Sequence, residues 1–307
     1  MRRPPKRHAL VLTALAVAAP VAAQDVRFRL PLDCTLGEDC FIQQYVDRDP
    51  GPGFADFTGG ALSYDDHSGT DLRVADLEAM AVAPPIVAPA SGRVVGIRNN
   101  VADGTFPTGQ DCGNGVAIDH GGGLVSQLCH MAEGSVVVRT GEEVIAGQPI
   151  GRIGLTGRTE FPHVHVSIRR DGAIVDPFVE DLWVDPVAYE PGGLLTAGFS
   201  AGIPAFDAIK AGTADAATMA AGDALVLWGF LFGGRAGDVV RLTITGPDGR
   251  AFFAEDAVLD RGQAQSFRAA GRRPPDQGWP AGRYAGTVEL ERDGVILDRL
   301  VTQVRLR

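Results

Sequence analysis

Histidine is scarce in this 307-residue chain, with six residues, and cysteine is scarcer, with four. Long apolar runs are missing as well. Past residue 23 no stretch approaches the roughly 18 apolar residues that a bilayer-crossing helix needs, which excludes a helical membrane bundle. Positive charge is in deficit, with 28 basic against 38 acidic residues and a formal net charge of -10. That balance repels nucleic acid and anionic lipid, and neither is expected as a partner. Helical periodicity is nearly absent between Pro85 and Val175, so an all-α fold is excluded for that stretch.

What is present begins with a leader. Arg2, Arg3, Lys6 and Arg7 precede an apolar run from Ala9 to Ala19, and Val21-Ala22-Ala23 stands before Gln24. A basic start, a short apolar middle and small residues at a cleavage point read as a secretory signal peptide over residues 1–23. Pro4 and Pro5 argue against a twin-arginine signal, and the cleavage point has no cysteine for a lipid anchor. The expected location is periplasmic or secreted, with no membrane anchor in the mature form. The 28 basic residues less the four of the leader leave 24 against 38 acidic. The roughly 284 residues beyond it are enough for two domains.

Cysteines in an exported chain suggest disulfides. Of three pairings, Cys34 with Cys40 and Cys112 with Cys129 is the economical one, because the second pair flanks a hairpin. A thiolate ligand at Cys129 is the alternative. Adjacent strand residues face opposite sides, so Cys129 is expected to point away from the face carrying His130.

The scarce histidines cluster in two strings. In His163-Val164-His165-Val166-Ser167-Ile168 polar and β-branched residues alternate, so His163, His165 and Ser167 share one strand face and the aliphatics face the core. In His67-Ser68-Gly69-Thr70-Asp71 an imidazole and a carboxylate stand four residues apart around a glycine. With one histidine of the strand pair they make a three-ligand set, the number a catalytic zinc site uses when its fourth position is left open.

These strings, with Pro-Ile-Val-Ala-Pro-Ala-Ser-Gly-Arg-Val at 85–94, Gly-Asn-Gly-Val-Ala-Ile-Asp-His-Gly at 113–121, a lone His130, Gly-Gln-Pro-Ile-Gly at 147–151 and Thr-Gly-Arg-Thr-Glu-Phe-Pro-His-Val-His at 156–165, resemble in order the lysostaphin-like (LytM-type) zinc metallopeptidases. The resemblance runs from His67 to about Phe178. It implies one zinc ion per chain with His67, Asp71 and His165 as ligands, and His130 and His163 as the catalytic pair. It also implies a peptide-bond substrate in peptidoglycan stem peptides, at a cross-link or bridge. Two departures touch the groove rather than the ligands. Leu128, Cys129 and Met131 surround the lone histidine where a tyrosine and a leucine are usual, and Phe161 replaces a glycine.

Around that core the organisation is as follows. Residues 24–66, rich in Asp, Gly and Pro, read as an irregular wrap that delivers His67 and could cover the groove. Residues 67–178 read as a glycine-punctuated antiparallel sheet or barrel-like peptidase core, with strands at Ala88–Ile97, Gly115–His120, Leu124–His130, Ser135–Val138 and Val164–Arg170. In the hairpin at Gly122, Val116 should oppose Leu128 and Ile118 should oppose Ser126, and His120 reads as structural. Residues 179–204 read as a connector. Residues 205–307, without His or Cys, read as an immunoglobulin-like β-sandwich that could meet a protein partner. The expected fold is therefore all-β, and the expected activity is that of a zinc endopeptidase acting on peptidoglycan, with His163 as general base. The alternatives are a non-catalytic regulator or wall-binding module that keeps the fold, and a structural envelope protein.

Overall fold

The computed structural model describes residues 26–307, so the leader lies outside the described residues. The chain is almost entirely β-structure. Its first sheet is built from β1 (Phe41–Gln44), β2 (Thr70–Arg73), β4 (Gly92–Arg98), β5 (Asn114–Asp119), β6 (Leu124–Met131), β7 (Glu143–Val144), β9 (His163–Arg170) and β10 (Ala173–Val175). The short β3 (Ile86–Val87) and β8 (Pro149–Gly151) pair with each other beside it. The sheet order is β1-β2-β9-β6-β5-β4-β7, with β10 also on β9, so the sheet is open rather than a closed barrel.

All pairings in this sheet are antiparallel. The hairpin register is the one the pattern dictates, Val116 opposite Leu128 and Ile118 opposite Ser126. Slipping it by one residue would turn the aliphatic set out of the core. Val94, Val116, Ile118, Leu128, Val164 and Val166 form that core together with Ile42, Leu72 and Ile86. Residues 135–138, expected as a strand, form no ladder. Val136 and Val138 are buried, and Val137 N donates to Ile150 O, but the segment crosses the core as a single irregular pass.

The wrap is more ordered than its composition suggests. It contributes β1 to the sheet edge and is closed by the Cys34–Cys40 disulfide. Its Tyr45 and Phe57 pack with Phe178 and Tyr189 in an aromatic cluster, ring centroids 4.9–5.6 Å apart. A short helix, α1 (Leu77–Val82), starts at Asp76, whose side chain accepts from Ala79 N as a cap.

The second unit is a two-sheet sandwich. Its strands are β11 (Gly193–Ser200), β12 (Thr218–Met219), β13 (Leu225–Gly234), β14 (Val239–Thr245), β15 (Ala251–Val258), β16 (Gln263–Arg272), β17 (Gly282–Arg292) and β18 (Val295–Leu306), with helix α2 (Phe206–Ala211) after β11. One sheet runs β11-β13-β16 and the other β12-β18-β17-β14-β15. Leu225, Leu227 and Leu231 from the first meet Leu242, Val288, Leu290 and Val304 from the second.

The connector expected at 179–204 must be corrected. Gly193–Ser200 is a full strand of the sandwich, paired along its length with β13. Its glycines and small residues mask the period-two signal, but Leu194 and Phe199 are buried in the sandwich core. Where the units touch, Phe41 packs with Leu195, Ile209, Trp228, Phe230 and Phe232. Arg292 holds Asp238 in a buried two-point ion pair (2.7 and 2.8 Å) and donates to Pro191 O, locking the end of β17 to the incoming chain.

Candidate metal centre and active site

The site is assembled on one face of β2 and β9. Asp71 lies opposite His165 and Arg73 opposite His163 in the antiparallel register, so all four side chains share a face. His67 comes from the loop before β2. That loop is held by Asp47, whose carboxylate accepts from Asp49, Ala55 and Asp66 N. The turn then has to pass close under β9. A methyl group at Gly69 would lie 2.5 Å from Val166 O and 2.7 Å from the His165 ring, so only glycine fits.

The donor atoms converge. His67 Nε2 is 3.2 Å from Asp71 Oδ1 and 3.2 Å from His165 Nδ1, and His165 Nδ1 is 2.8 Å from Asp71 Oδ1. Ligands of a tetrahedral zinc ion, with bonds of about 2.0–2.1 Å, stand about 3.3 Å apart. The His67 Nδ1–H donates to Tyr45 O at 2.6 Å, which leaves the Nε2 lone pair facing the centre. Two imidazole nitrogens and a carboxylate oxygen, mutually spaced for one small cation and buried, are a donor set that fits zinc.

Two further imidazoles border the centre. His163 Nδ1 donates to Phe161 O at 2.9 Å, so its Nε2, 3.4 Å from Asp71 Oδ1, is free to accept. His130 Nδ1 donates to Thr156 O at 2.8 Å, and its ring centroid is 4.7 Å from that of His163. Both rings thus have one nitrogen tied to a backbone carbonyl and the other unburdened. His120 is elsewhere, between Ser91 O and Ser126 Oγ (2.9 and 2.8 Å), and serves the hairpin.

Burial by itself would raise the Asp71 carboxyl. The neighbouring imidazoles, His67 first and then His163 and His165, outweigh it, holding the carboxyl well below its usual range. Burial pushes His130 down to about 3, helped by His163 and His165, so His130 is a neutral ring in this environment. His165 is also lowered, first by burial.

The expectation about the Cys129 and His130 faces is reversed. Cys129 is the register partner of His165, which puts it on the face of the site, and strict alternation would send His130 into the core beside Leu128. His130 instead has φ of +63°, and that turn of the backbone swings its ring back to the site side. A left-handed residue other than glycine is strained, and such strain gathers at functional sites. Cys129 is nevertheless unavailable to a metal, because it is bonded to Cys112. Cys112 O in turn accepts from His130 N at 2.9 Å, so the disulfide helps fix the turn.

A groove of about 350 Å³ opens over the centre, its walls including Tyr64, Asp66, Asp111, Arg158 and Arg169. Tyr64 lies 4.4 Å from the His67 ring. Sequence reasoning passed over these wall residues and over Thr156, which accepts from Asn114 N, donates to Met131 O and offers its carbonyl to His130. Only Arg73 carried a signal, as a charge at a position where the sheet is covered.

Comparisons with known proteins fall on this same segment. Residues 65–177 match Peptidase family M23. A stretch of 102 residues is 32% identical to the Peptidoglycan DD-endopeptidase ShyA of Vibrio cholerae. It covers 33% of this chain and 20% of that protein, so the chain spans about a fifth of the length of its curated relative. Among solved structures, a variant of the catalytic domain of the prophage-encoded M23 protein EnpA from Enterococcus faecalis is 24% identical, covering 47% of this chain and 92% of that one, with a TM-score of 0.33. The catalytic domain of the antimicrobial peptidase lysostaphin from Staphylococcus simulans is 23% identical over 44% of this chain and 91% of that one, with a TM-score of 0.30. His67, Asp71, His130, His163 and His165 all lie inside the segment, residues 65–177, that matches Peptidase family M23.

Proposed function

We propose that this protein is a zinc-dependent endopeptidase that hydrolyses peptide cross-links or bridges in peptidoglycan, with His67, Asp71 and His165 as metal ligands and His163 and His130 as the catalytic pair. The observation that carries the reading is the convergence of three donor atoms at 2.8–3.2 Å with two singly anchored imidazoles beside them. The relationship to a peptidoglycan endopeptidase supports the substrate class.

Zinc bound there would supply Lewis acidity toward a peptide carbonyl and bring the pKa of water down to about 7. The remaining steps belong to side chains. His163 Nε2, its tautomer set by the Phe161 carbonyl, accepts the proton of the attacking water. Asp71 Oδ1 lies 3.4 Å from that nitrogen. The proton that His163 takes from water is passed on to the leaving amine, and His130, set by Thr156 O and with its ring beside that of His163, relays it from Nε2 or faces the developing oxyanion with it. The groove walls, with Arg158 and Arg169 on one hand and Asp66 and Asp111 on the other, suit a peptide bearing both carboxylates and amines.

Two disulfides support export to an oxidising compartment, which is where the leader directs the chain. We read the second unit as immunoglobulin-like, since β12 runs parallel to the last strand, β18, at the edge of a five-stranded sheet facing a three-stranded one.

The test is digestion of cross-linked sacculi by the mature protein with and without a chelator, followed by mass spectrometry of the new peptide ends. New amine and carboxyl ends that vanish with chelator and return with zinc are expected. Ends that form equally well in chelator would remove the zinc assignment, and binding without new ends would leave a wall-binding module.

A further inference from the structure

Arg73 is the largest side chain buried outright in the chain, 1% exposed. Its hydrogen-bond partners are all neutral. Nε donates to Val74 O (3.0 Å), one terminal nitrogen to Gln43 Oε1 and to Gln265 Oε1 (3.1 Å), and the other to Ala75 O (2.8 Å). Among the described residues it makes no ion pair. A buried cation countered only by the field of Asp76, which lies beyond ion-pair distance, is unfavourable, and an aliphatic residue of similar volume would serve packing better. The cation is therefore to be explained by what it holds.

It holds two aromatic rings from two units. The guanidinium carbon lies 4.9 Å from the Phe161 ring centroid on one side and 5.6 Å from that of Phe230 on the other. Phe161 in turn stacks on the His163 imidazole, with centroids 4.3 Å apart and planes 24° from parallel. The Phe161 carbonyl accepts from His163 Nδ1 and also from Thr159 Oγ1 (2.8 Å). Phe230 on β13 and Gln265 on β16 belong to the sandwich, whereas Arg73, Phe161 and His163 belong to the peptidase segment. A cavity of about 270 Å³ opens beside the stack, lined by Arg73, Phe161 and Phe230, and Phe230 is itself anchored in the sandwich by packing against Phe206, Ile209 and Trp228.

We propose that Arg73, clamped between Phe161 and Phe230, is a positioning residue through which the C-terminal sandwich orients the His163 imidazole for catalysis. The proposal rests on the reading of His163 as general base. In this arrangement a flat cation between two rings fixes the tilt of Phe161, and the Phe161 ring and carbonyl together fix both the plane and the tautomer of His163. Among the described residues none of the sandwich lines the groove over the metal centre, yet the sandwich would set the turnover number.

The experiment uses the full mature chain loaded with zinc. Phe161→Leu and Phe230→Leu keep apolar bulk and remove the ring faces, and Phe161→Tyr keeps the face, with the cavity able to take its hydroxyl. With a cross-linked muropeptide, both leucine variants should lower kcat about 10-fold at unchanged KM and zinc content, and Phe161→Tyr should restore kcat. Nitrogen-15 spectra of the histidine rings should show His163 shifted or broadened in both leucine variants while His120, remote from the stack, keeps its wild-type position. Wild-type kcat and His163 resonances in Phe230→Leu would overturn the proposal, as would loss in Phe161→Tyr equal to that in Phe161→Leu, or a matching change at His120. If the wild-type chain cleaves no muropeptide, the hydrolase reading fails on its own account, and the His163 spectra still decide whether the sandwich orients that ring.

Discussion

The two units of this chain bury different things. In the sandwich, burial alternates without a break along β14 from Val239 to Thr245, and its core is mainly aliphatic and aromatic, with Asp238, Ser266, Glu289 and Arg292 the polar side chains buried beside it. In the peptidase segment His67, Asp71, Arg73, Asn114, His130, Thr156 and His163 are all buried, and the strands around them are short, bulged or interrupted. The sandwich gains stability from long strands, each of its ladders carrying at most one register shift, and from apolar burial. The peptidase segment gives some of that up to hold polar groups in fixed relation, with His67, Arg73, His130 and His163 each hydrogen-bonded to backbone carbonyls. Irregular backbone and polar burial coincide here with the chemistry, and a regular frame packed against it compensates.

That contrast can be broken at several depths. The largest effect is expected at the centre of the polar cluster. Asp71→Ala should abolish zinc retention after dialysis, read by elemental analysis, and take hydrolysis to background. His163→Ala should keep one zinc per chain and still lose about 10²–10⁴ in kcat, the usual contribution of a general base. Equal zinc loss in both variants would mean that His163 is a ligand.

Next comes the staple that only the peptidase segment has beside its site. Replacing Cys112 and Cys129 together by Ser opens a loop of sequence separation 17, which should cost about 3 kcal/mol. Native-state hydrogen exchange should show the loss in β5 and β6, with β14 and β17 protected as before. A uniform loss across both units would show that they unfold as one and blunt the contrast.

The smallest effect is at the seam. Glu190 accepts a hydrogen bond from Ile42 N, but burial pushes its carboxyl up to about 7, with Asp298 of the sandwich adding to the rise. A carboxyl whose folded value is raised favours the fold fully below its unfolded value, near 4.5, and loses that contribution as pH rises through about 7. Glu190→Gln should therefore match the wild type in Tm near pH 4 and exceed it by a few degrees at pH 8. A wild type that is the more stable at pH 8 would show that the charged carboxylate is well solvated.

Much of the site could be read before any coordinates. His67 and Asp71 were marked by residue type and spacing, the family resemblance singled out His165 from the strand pair, and register then placed Asp71 opposite His165. The Val116–Leu128 pairing followed from aliphatic alternation about a glycine turn. Patterns of period two report local geometry, and these features are local. They failed where geometry departs from the pattern. His130 reaches the site through a left-handed φ that no histidine advertises in sequence. Strand β11 is hidden by glycine and alanine, which carry little strand preference and are fixed by the partner strand instead.

By itself, then, the sequence determined the chemistry available to this protein: which nitrogens and oxygens could meet a cation, which cysteines lay near enough to bond, and that strands would carry them. Those properties reside in side-chain type and short-range periodicity. The tertiary structure alone decided which face His130 joins, that Cys129 lines the groove yet is closed to metal, and that Arg73 lies between rings contributed by two units. Each of those depends on backbone turns or contacts that side-chain type does not announce, the longest being the 192-residue step of Arg73 to Gln265, and no local pattern encodes a contact at that separation.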